Sequence, residues 1–175
     1  QGRYAEAEPL MRQALAIFEK SVGPDSAIVS IALSHLAIIL TDQGREDEAL
    51  PLMQRALAIR ERVYGPDHPD VAISLNNLAN RHTLDGKYEE AEKLYRRSLA
   101  IVEKALGKEH PRAWEIANNL GYLAFLQEQY NQADELWTSV LAWREKSLSA
   151  DDPETGRTWY NIGKLRAAQD RLAEA

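Results

Sequence analysis

The fold is decided by residues 86–102, whose sequence is GKYEEAEKLYRRSLAIV. Apolar and small side chains recur in this stretch at the spacing i, i+3, i+4, i+7, i+8 and i+11. They are Ala91, Leu94, Tyr95, Ser98, Leu99 and Val102. Because an α-helix turns once in about 3.6 residues, side chains at this spacing lie on one face. The stretch therefore predicts an amphipathic helix that packs through that face.

The same pattern recurs along the whole chain at a fixed interval. Openings similar to the one at Gly86 begin at residues 2, 44, 128 and 170, so that successive openings are always 42 residues apart. Matching columns hold Ala7, Ala49, Ala91, Ala133 and Ala175, and also Leu10, Leu52, Leu94 and Leu136. A single inserted residue would rotate a helical face by about 100°. The unbroken register therefore predicts that each unit packs on its neighbour in the same way.

A second helix precedes this one in each period, and turn residues mark the ends of both. Pro69, Pro111 and Pro153 indicate where it starts, since a proline in the first turn loses no hydrogen bond. Gly44 and Gly86 suit the left-handed conformation that ends a helix. We name the helix before this turn glycine the first-type helix and the one after it the second-type helix. Helices are predicted near residues 4–22, 27–43, 46–64, 69–85, 88–106, 111–127, 130–148 and 153–169.

Small residues and tryptophans are assigned to the packing between helices. Small residues are predicted where the two helices of a pair approach closely, at Ala79, Ala91, Gly121, Ala133 and Gly163. Trp137 and Trp159 share columns with apolar residues, so both are predicted to lie in the core. Trp114 and Trp143 could pack or could anchor a partner, and packing is the favoured interpretation.

Two segments carry a resemblance to a known family. They are residues 65–79, GPDHPDVAISLNNLA, and residues 86–92, GKYEEAE. Both are similar to the 42-residue tetratricopeptide repeats of kinesin light chains, and the resemblance covers essentially the whole chain. It implies an all-α fold, a right-handed superhelical solenoid of antiparallel helix pairs. The last period departs most from the pattern, because Glu128 replaces the turn glycine and Ser149-Ala150 replaces Gly-Pro.

Composition and motifs exclude several classes of function. The 175 residues include 21 basic and 27 acidic side chains, and this net charge of −6 disfavours nucleic acid or an anionic membrane as partner. There is no cysteine, no apolar run near the roughly 18 residues of a membrane span, and no phosphate-binding or nucleophile motif. The spacing of the four histidines is not that of metal ligands; they are His35, His68, His82 and His110. We therefore expect a cytoplasmic protein without enzymatic activity, metal or cofactor.

A candidate binding face follows from the resemblance, which implies that first-type helices line a concave groove. The residues predicted to contact a peptide there are Asn76, Asn77, Asn80, Asn118, Asn119, Tyr122, Phe125, Arg157, Tyr160, Asn161 and Lys164. An asparagine amide both donates and accepts, which matches an extended peptide backbone. The same asparagines could instead tie neighbouring helices together. Tyr122, Phe125 and Tyr160 are the predicted apolar anchors, and Arg157 and Lys164 would favour an acidic residue at one end.

Two functional hypotheses remain at this stage. The first is a non-enzymatic scaffold that binds an extended segment of another protein. The alternative is a regulatory or self-assembly arm of a larger signalling ATPase or protease, since the first residue is Gln1 rather than Met. Residues 1–175 are expected to be one solenoid fragment, which opens with an unpaired second-type helix and closes with an unpaired first-type helix. Head-to-tail association of copies is therefore also expected.

Overall fold

The computed structural model of the protein describes residues 4–148 and 151–173, which contain eight α-helices and no strand. The helices are α1 (Tyr4–Val22), α2 (Ala27–Asp42), α3 (Glu46–Tyr64), α4 (Pro69–Leu84), α5 (Tyr88–Leu106), α6 (Pro111–Leu126), α7 (Tyr130–Ser147) and α8 (Pro153–Ala173). The predicted bounds are confirmed to within one residue, except that α8 ends at 173 rather than 169. The repeat opening at residue 2, Ser149-Ala150 and Ala175 lie outside the described residues.

Contacts divide the chain after residue 81 into two compact units. The first unit comprises α1 to α3 and most of α4, and the second comprises the end of α4 and α5 to α8. In the first unit, α2 packs against both α1 and α3. Two clusters of buried side chains lie between these helices. One contains Val29, Leu33, Ala56 and Ile59, and the other contains Leu36, Ala37, Leu40 and Ala49. The helical stripes predicted from the 42-residue period are therefore the buried faces.

First-type helices begin where the sequence predicts, because the residue before each proline caps the helix. Nδ1 of His68 and Nδ1 of His110 accept a hydrogen bond from the backbone N–H two residues on, at 3.1 and 3.2 Å. Oδ1 of Asp152 accepts the corresponding bond at 3.0 Å. These bonds satisfy N–H groups that lack a partner within the helix. The two histidines are therefore accounted for as helix caps.

The turn inside each pair has a left-handed residue in every repeat. Gly44 and Gly86 have φ of +73°, as predicted for glycines at this position. Glu128 occupies the same place one period later and has φ of +60°. A residue with a Cβ is disfavoured in this conformation, so the turn between α6 and α7 keeps its geometry at a cost. The replacement of the turn glycine by Glu128 therefore leaves the conformation of the turn unchanged.

The close approach predicted at Gly121 is confirmed in the second unit. A Cβ placed there would lie 2.7 Å from Cδ1 of Trp137, so only glycine fits against this indole. Trp137 is buried, as predicted, and its Nε1 donates to the backbone oxygen of Asn118 at 3.1 Å. Trp114 stacks on Trp143 with ring centroids 5.6 Å apart. The favoured interpretation of these two tryptophans, packing, is therefore the one that the structure shows.

Two packing predictions for α8 are wrong. Trp159 is 53% exposed, and no atom lies within 4 Å of a Cβ built on the exposed Gly163. The corresponding face of α6 is covered by α7. Within the described part of the chain, no second-type helix takes that place beside α8. Periodicity identified the face correctly, but a face is buried only where a helix covers it.

Two arginines lie buried where one helix pair meets the next. Nη1 of Arg60 in α3 donates to the hydroxyl of Ser74 in α4. Nη1 of Arg144 in α7 donates to the hydroxyl of Thr158 in α8 at 2.8 Å, and also to the backbone oxygen of Glu154. Burial lowers the pKa of both arginines. Each guanidinium is thus retained in the interior by oxygen acceptors on the following first-type helix.

The other two junctions between successive pairs, one before Arg60 and one between Arg60 and Arg144, lack the arginine. Val102 and Ile116 stand at the corresponding positions of α5 and α6, and both are buried. Phe18 and Ala32 stand there in α1 and α2. The junctions between successive pairs therefore alternate along the chain, with an apolar junction followed by an arginine and hydroxyl junction. The arginine and its hydroxyl partner always occur together.

Candidate functional site

The predicted site residues of the second unit lie on α6 and α8, and the structure brings several of them together. Nζ of Lys164 lies 5.4 Å from the ring centroid of Phe125 and 5.8 Å from that of Tyr160. Both distances are within the roughly 6 Å of a cation–π contact. Phe125 on α6 thus forms one cluster with Tyr160 and Lys164 on α8, which we call the aromatic–lysine cluster.

Exposure distinguishes the floor of this cluster from its rim. Phe125 is half-buried, and its ring centroid lies 5.9 Å from those of both Tyr130 and Trp137. Tyr160 is 66% exposed, and Tyr122, one helical turn before Phe125, is also exposed. An aromatic ring rooted in the core next to exposed tyrosines gives a rigid apolar surface for another molecule.

The charge of the cluster comes from two cations that differ in their pairing. Nη2 of Arg157 lies 2.7 Å from Oε2 of Glu154, so its charge is partly compensated on α8 itself. Lys164 is exposed and makes no ion pair within residues 4–148 and 151–173. Its ammonium group instead lies over the rings of Phe125 and Tyr160. An acidic group on a ligand would therefore find Lys164 available beside an aromatic surface.

The predicted asparagines differ in accessibility. Asn76 and Asn118 are buried, and Oδ1 of Asn118 has no hydrogen-bond partner among the described residues. Half-burial is found for Asn77, Asn119 and Asn161, whereas Asn80 is exposed. The amides of Asn76 and Asn118 lie inside the helix packing and offer little surface to another molecule. The contact with a peptide backbone predicted for this set thus depends on its accessible members.

One surface of the first unit was not selected from the sequence. Ile28, Ile31 and Ile38 of α2 are 40 to 47% exposed and lie on the same side of the helix as the exposed His35. Their spacing of three and seven residues places them on one face. The signal was present, since these isoleucines fall outside the columns of core residues. Sequence reasoning chose asparagine and aromatic positions and passed over this aliphatic stripe.

Metal and membrane features were also searched for. Among residues 4–148 and 151–173, no group of three or more His, Asp or Glu side chains is arranged to hold a metal ion. No helix of this part is both long and apolar enough to span a bilayer.

Comparison with known families agrees with this fold. The family model for the tetratricopeptide repeat matches residues 1–61, 28–104, 82–136 and 112–175, and the chain therefore belongs to the tetratricopeptide repeat family. Proteins of this family are generally non-catalytic scaffolds for protein interaction. No curated protein sequence gives a significant match.

Solved structures narrow the type of repeat. BtubC (BKLC) from P. vanneervenii has a TM-score of 0.85 and 27% identity, over 97% of this chain and 67% of that one. A protein from Podosopora anserina, described as a kinesin light chain with nearly identical TPR-like repeats, has a TM-score of 0.75 and 27% identity over 98% and 85%. A single-substitution variant of it has a TM-score of 0.76, with 27% identity over 99% and 85%. The resemblance to kinesin-light-chain-like tetratricopeptide arrays and the all-α repeat fold are thus confirmed.

Proposed function

We propose that this chain is a non-enzymatic scaffold that binds an extended segment of another protein through its first-type helices. In the second unit, the contact surface is the face that α6 and α8 share. The observation that supports this proposal most is the aromatic–lysine cluster, with Tyr160 exposed and Lys164 over the rings of Phe125 and Tyr160. The acidic chain as a whole, with net charge −6, favours a protein partner over nucleic acid.

The free energy needed for binding indicates that the aromatic residues contribute most of the affinity. A micromolar complex needs about 8 kcal/mol, whereas one hydrogen bond contributes about 0.5 to 1.5 kcal/mol net. Amide contacts from Asn119 and Asn161 in the second unit, and from Asn77 in the first, would therefore each position a peptide backbone without supplying most of the affinity. Exposed tyrosines that become buried on binding supply the larger share, as anchor residues do at protein interfaces.

Charge gives the expected preference of the cluster. Lys164 is exposed beside two aromatic rings, so that an acidic side chain of the partner would meet a cation whose attraction weakens as salt is added. Arg157 reinforces the preference from two helical turns earlier in α8, although Glu154 compensates part of its charge. We place this interaction in the cytoplasm, in keeping with a sequence that contains no cysteine.

A peptide-display screen tests the proposal. Peptides selected on the whole chain would be compared for binding to the unaltered protein, to Tyr160→Ala and to Asn77→Ala/Asn119→Ala by fluorescence anisotropy. Tyr160→Ala should weaken binding at least tenfold, and the double asparagine variant should weaken it less. Leu106→Ala, an exposed position on the second-type helix α5, is the matched control and should bind normally.

Two results would contradict parts of this proposal. If selected peptides bind Tyr160→Ala and the unaltered protein equally, the α6 and α8 face is not the contact surface. If Lys164→Gln leaves both affinity and its dependence on salt unchanged, the preference for an acidic residue is wrong. A screen that yields no specific peptide argues against extended-segment binding altogether.

A further inference from the structure

The aliphatic stripe of α2 belongs to a narrow, solvent-facing side of that helix. Ile28, Ile31 and Ile38 are 40%, 46% and 47% exposed, and the exposed His35 and Asp42 complete the row. Successive members of the row are three or four residues apart in strict alternation, the spacing of the a and d positions of a coiled coil. At about 100° per residue, all five fall within a sector of about 80°. The three isoleucines therefore form one strip rather than isolated apolar contacts with water.

The corresponding face is open to solvent on other first-type helices, but its residues there are different. Exposed residues occupy these positions in α6 and α8, although α6 contacts α5, α7 and α8, and α8 contacts both α6 and α7. They are Arg112, Glu115 and Tyr122 in α6, and Glu154, Arg157 and Lys164 in α8. Neighbouring helices thus leave this face uncovered. Because isoleucine is a poorer helix former than arginine, lysine or glutamate, helix propensity does not account for the three isoleucines of α2.

The spacing of the row favours a helical partner. A second helix with apolar residues at the same alternating intervals would place its side chains between those of α2 along the whole row, as the helices of a coiled coil do. From Ile28 to Asp42 the row extends about 21 Å, which is the length of about four helical turns. In an extended strand every second side chain lies on one face, and this period does not match the row.

The charges around the stripe favour a basic partner. Asp42 adds a negative charge at the C-terminal end of α2, where the helix dipole is already negative and the last turn has no basic residue. Arg45, the next basic residue along the chain, is paired with Glu8 and Glu48 at 2.6 and 2.7 Å. The first unit as a whole has 11 acidic and 8 basic side chains. A basic helix would therefore be attracted to it, whereas a second copy of this chain, with net charge −6, would be repelled.

We infer that α2 binds an amphipathic helix of another protein, whose aliphatic residues face the three isoleucines and whose lysine or arginine faces Asp42. His35, near the middle of the row, places one polar side chain among the isoleucines and so fixes the register of the bound helix. This inference goes beyond the function proposed above and does not depend on it. The surface lies in the first unit rather than on α6 and α8, and the bound segment is helical rather than extended.

Helical peptides selected on the whole chain test this inference. The display library contains peptides of about 20 residues, with aliphatic residues at the a and d positions and all other positions randomised. Fluorescence anisotropy then compares the binding of selected peptides to the unaltered protein and to Ile31→Gln/Ile38→Gln. Glutamine is a good helix former and both positions are exposed, so far-UV circular dichroism should be unchanged. Val63→Gln is the matched control, because Val63 is 44% exposed in the same unit but lies on α3.

The expected result has four parts. Selected peptides should be rich in lysine and arginine and should gain helix on binding. The double isoleucine variant should weaken their binding by about tenfold or more, whereas Val63→Gln should not change it. Asp42→Asn should weaken binding by about threefold and reduce its dependence on salt. A proline placed on the solvent side of the peptide should abolish binding, because it breaks the helix without altering the contact residues.

Other outcomes would overturn the inference. Equal binding to the unaltered protein and to Ile31→Gln/Ile38→Gln would show that α2 is not the contact surface, and a library that yields no binder would count against a helical partner. Selection of acidic peptides, or binding by the proline peptides, would show that the partner is not a basic helix. A protein that dimerises in sedimentation velocity only while its α2 isoleucines are intact would show that a second copy covers the stripe.

Two further measurements keep the result interpretable. Should the glutamine variant lose helix, Ile31→Ala/Ile38→Ala replaces it, and amide chemical shifts of the unaltered protein on addition of peptide should change along α2. Tyr160→Ala should bind the helical peptides normally, so failure of this inference is separable from failure of the proposed function.

Discussion

Gly121→Ala should destabilise the second unit, although alanine is the better helix former. A Cβ at this position would lie 2.6 Å from Nε1 and 2.7 Å from Cδ1 of Trp137. The indole is buried and its Nε1 donates to the backbone of Asn118, so the ring cannot shift without losing that bond. Overpacking costs about 1 to 3 kcal/mol and the hydrogen bond about 1 kcal/mol, while the gain in helix propensity offsets about 1 kcal/mol. The net loss should be about 1 to 3 kcal/mol.

Guanidinium unfolding, followed by far-UV circular dichroism and by tryptophan fluorescence, measures this loss. Gly163→Ala is the matched control, since it lies in the same column one period later and its new Cβ would meet nothing within 4 Å. It should stabilise by up to about 1 kcal/mol through helix propensity alone. If both substitutions shift the unfolding midpoint in the same direction, the steric argument is refuted.

A compensating substitution extends the test. The corresponding positions one period earlier hold Ala79 and Tyr95, a larger residue at the first position with a smaller ring at the second. Trp137→Tyr should therefore recover part of the stability that Gly121→Ala removes. The double-mutant cycle should show a favourable coupling of about 1 kcal/mol or more. Additive effects would mean that the two residues do not press on each other.

The remaining predictions concern a buried phenol, a turn and a buried guanidinium. Burial raises the pKa of Tyr95 to about 12, so the unfolded chain ionises first and the free energy of unfolding should fall by about 2 kcal/mol between pH 10 and pH 12. Denaturant titrations should show a smaller loss over this range for Tyr95→Phe. Residues 86 and 128 both have a positive φ, which favours glycine. In thermal unfolding, Glu128→Gly should therefore stabilise the protein by about 0.5 to 1 kcal/mol, and Gly86→Ala should destabilise it by about 1 kcal/mol. Ser74→Ala should cost about 1 to 3 kcal/mol in denaturant unfolding, since it removes the acceptor of Arg60, whereas Arg60→Val/Ser74→Ile should recover that loss.

Each of these predictions has an outcome that contradicts it. Equal loss of stability in alkali for Tyr95→Phe and for the unaltered protein would mean that this phenol is not the group responsible. Lower stability of Glu128→Gly would show that the glutamate side chain outweighs its backbone cost. A Ser74→Ala variant as stable as the unaltered protein would show that Arg60 does not depend on the hydroxyl.

Local signals in the sequence predict most of the fold, because each acts within one repeat. Apolar spacing, first-turn prolines and turn glycines determine where a helix starts and ends, and these bounds agree with the structure. Trp159 and Gly163 were misplaced because their burial depends on a helix that must come from outside α8. The end of α8 was set too early, because this helix continues through Asp170, whereas Gly44, Gly86 and Glu128 of the same column lie in turns.

The candidate site was predictable only in part. Periodicity places Phe125, Tyr160 and Lys164 on first-type helices, but the distances that join them depend on how α6 and α8 pack. Spacing alone could not show that Asn118 is buried, because this position lies at the edge of the helical face, where the approach of a neighbour decides accessibility. No binding residue was chosen among the exposed isoleucines of α2, because the choice favoured amides, aromatic rings and cations.

The alternating junctions affect which repeats can pack on each other during folding. Because all repeats have the same length, length alone does not prevent a helix pair from skipping one repeat and packing on the next. Such a slip would place Arg60 opposite Ile116, where the guanidinium would lose its hydroxyl acceptor at a cost of several kcal/mol. A shift of two repeats would place Arg60 opposite Thr158, whose hydroxyl accepts a hydrogen bond from Arg144 in the native structure. The alternation therefore disfavours mispairing by one repeat more than mispairing by two.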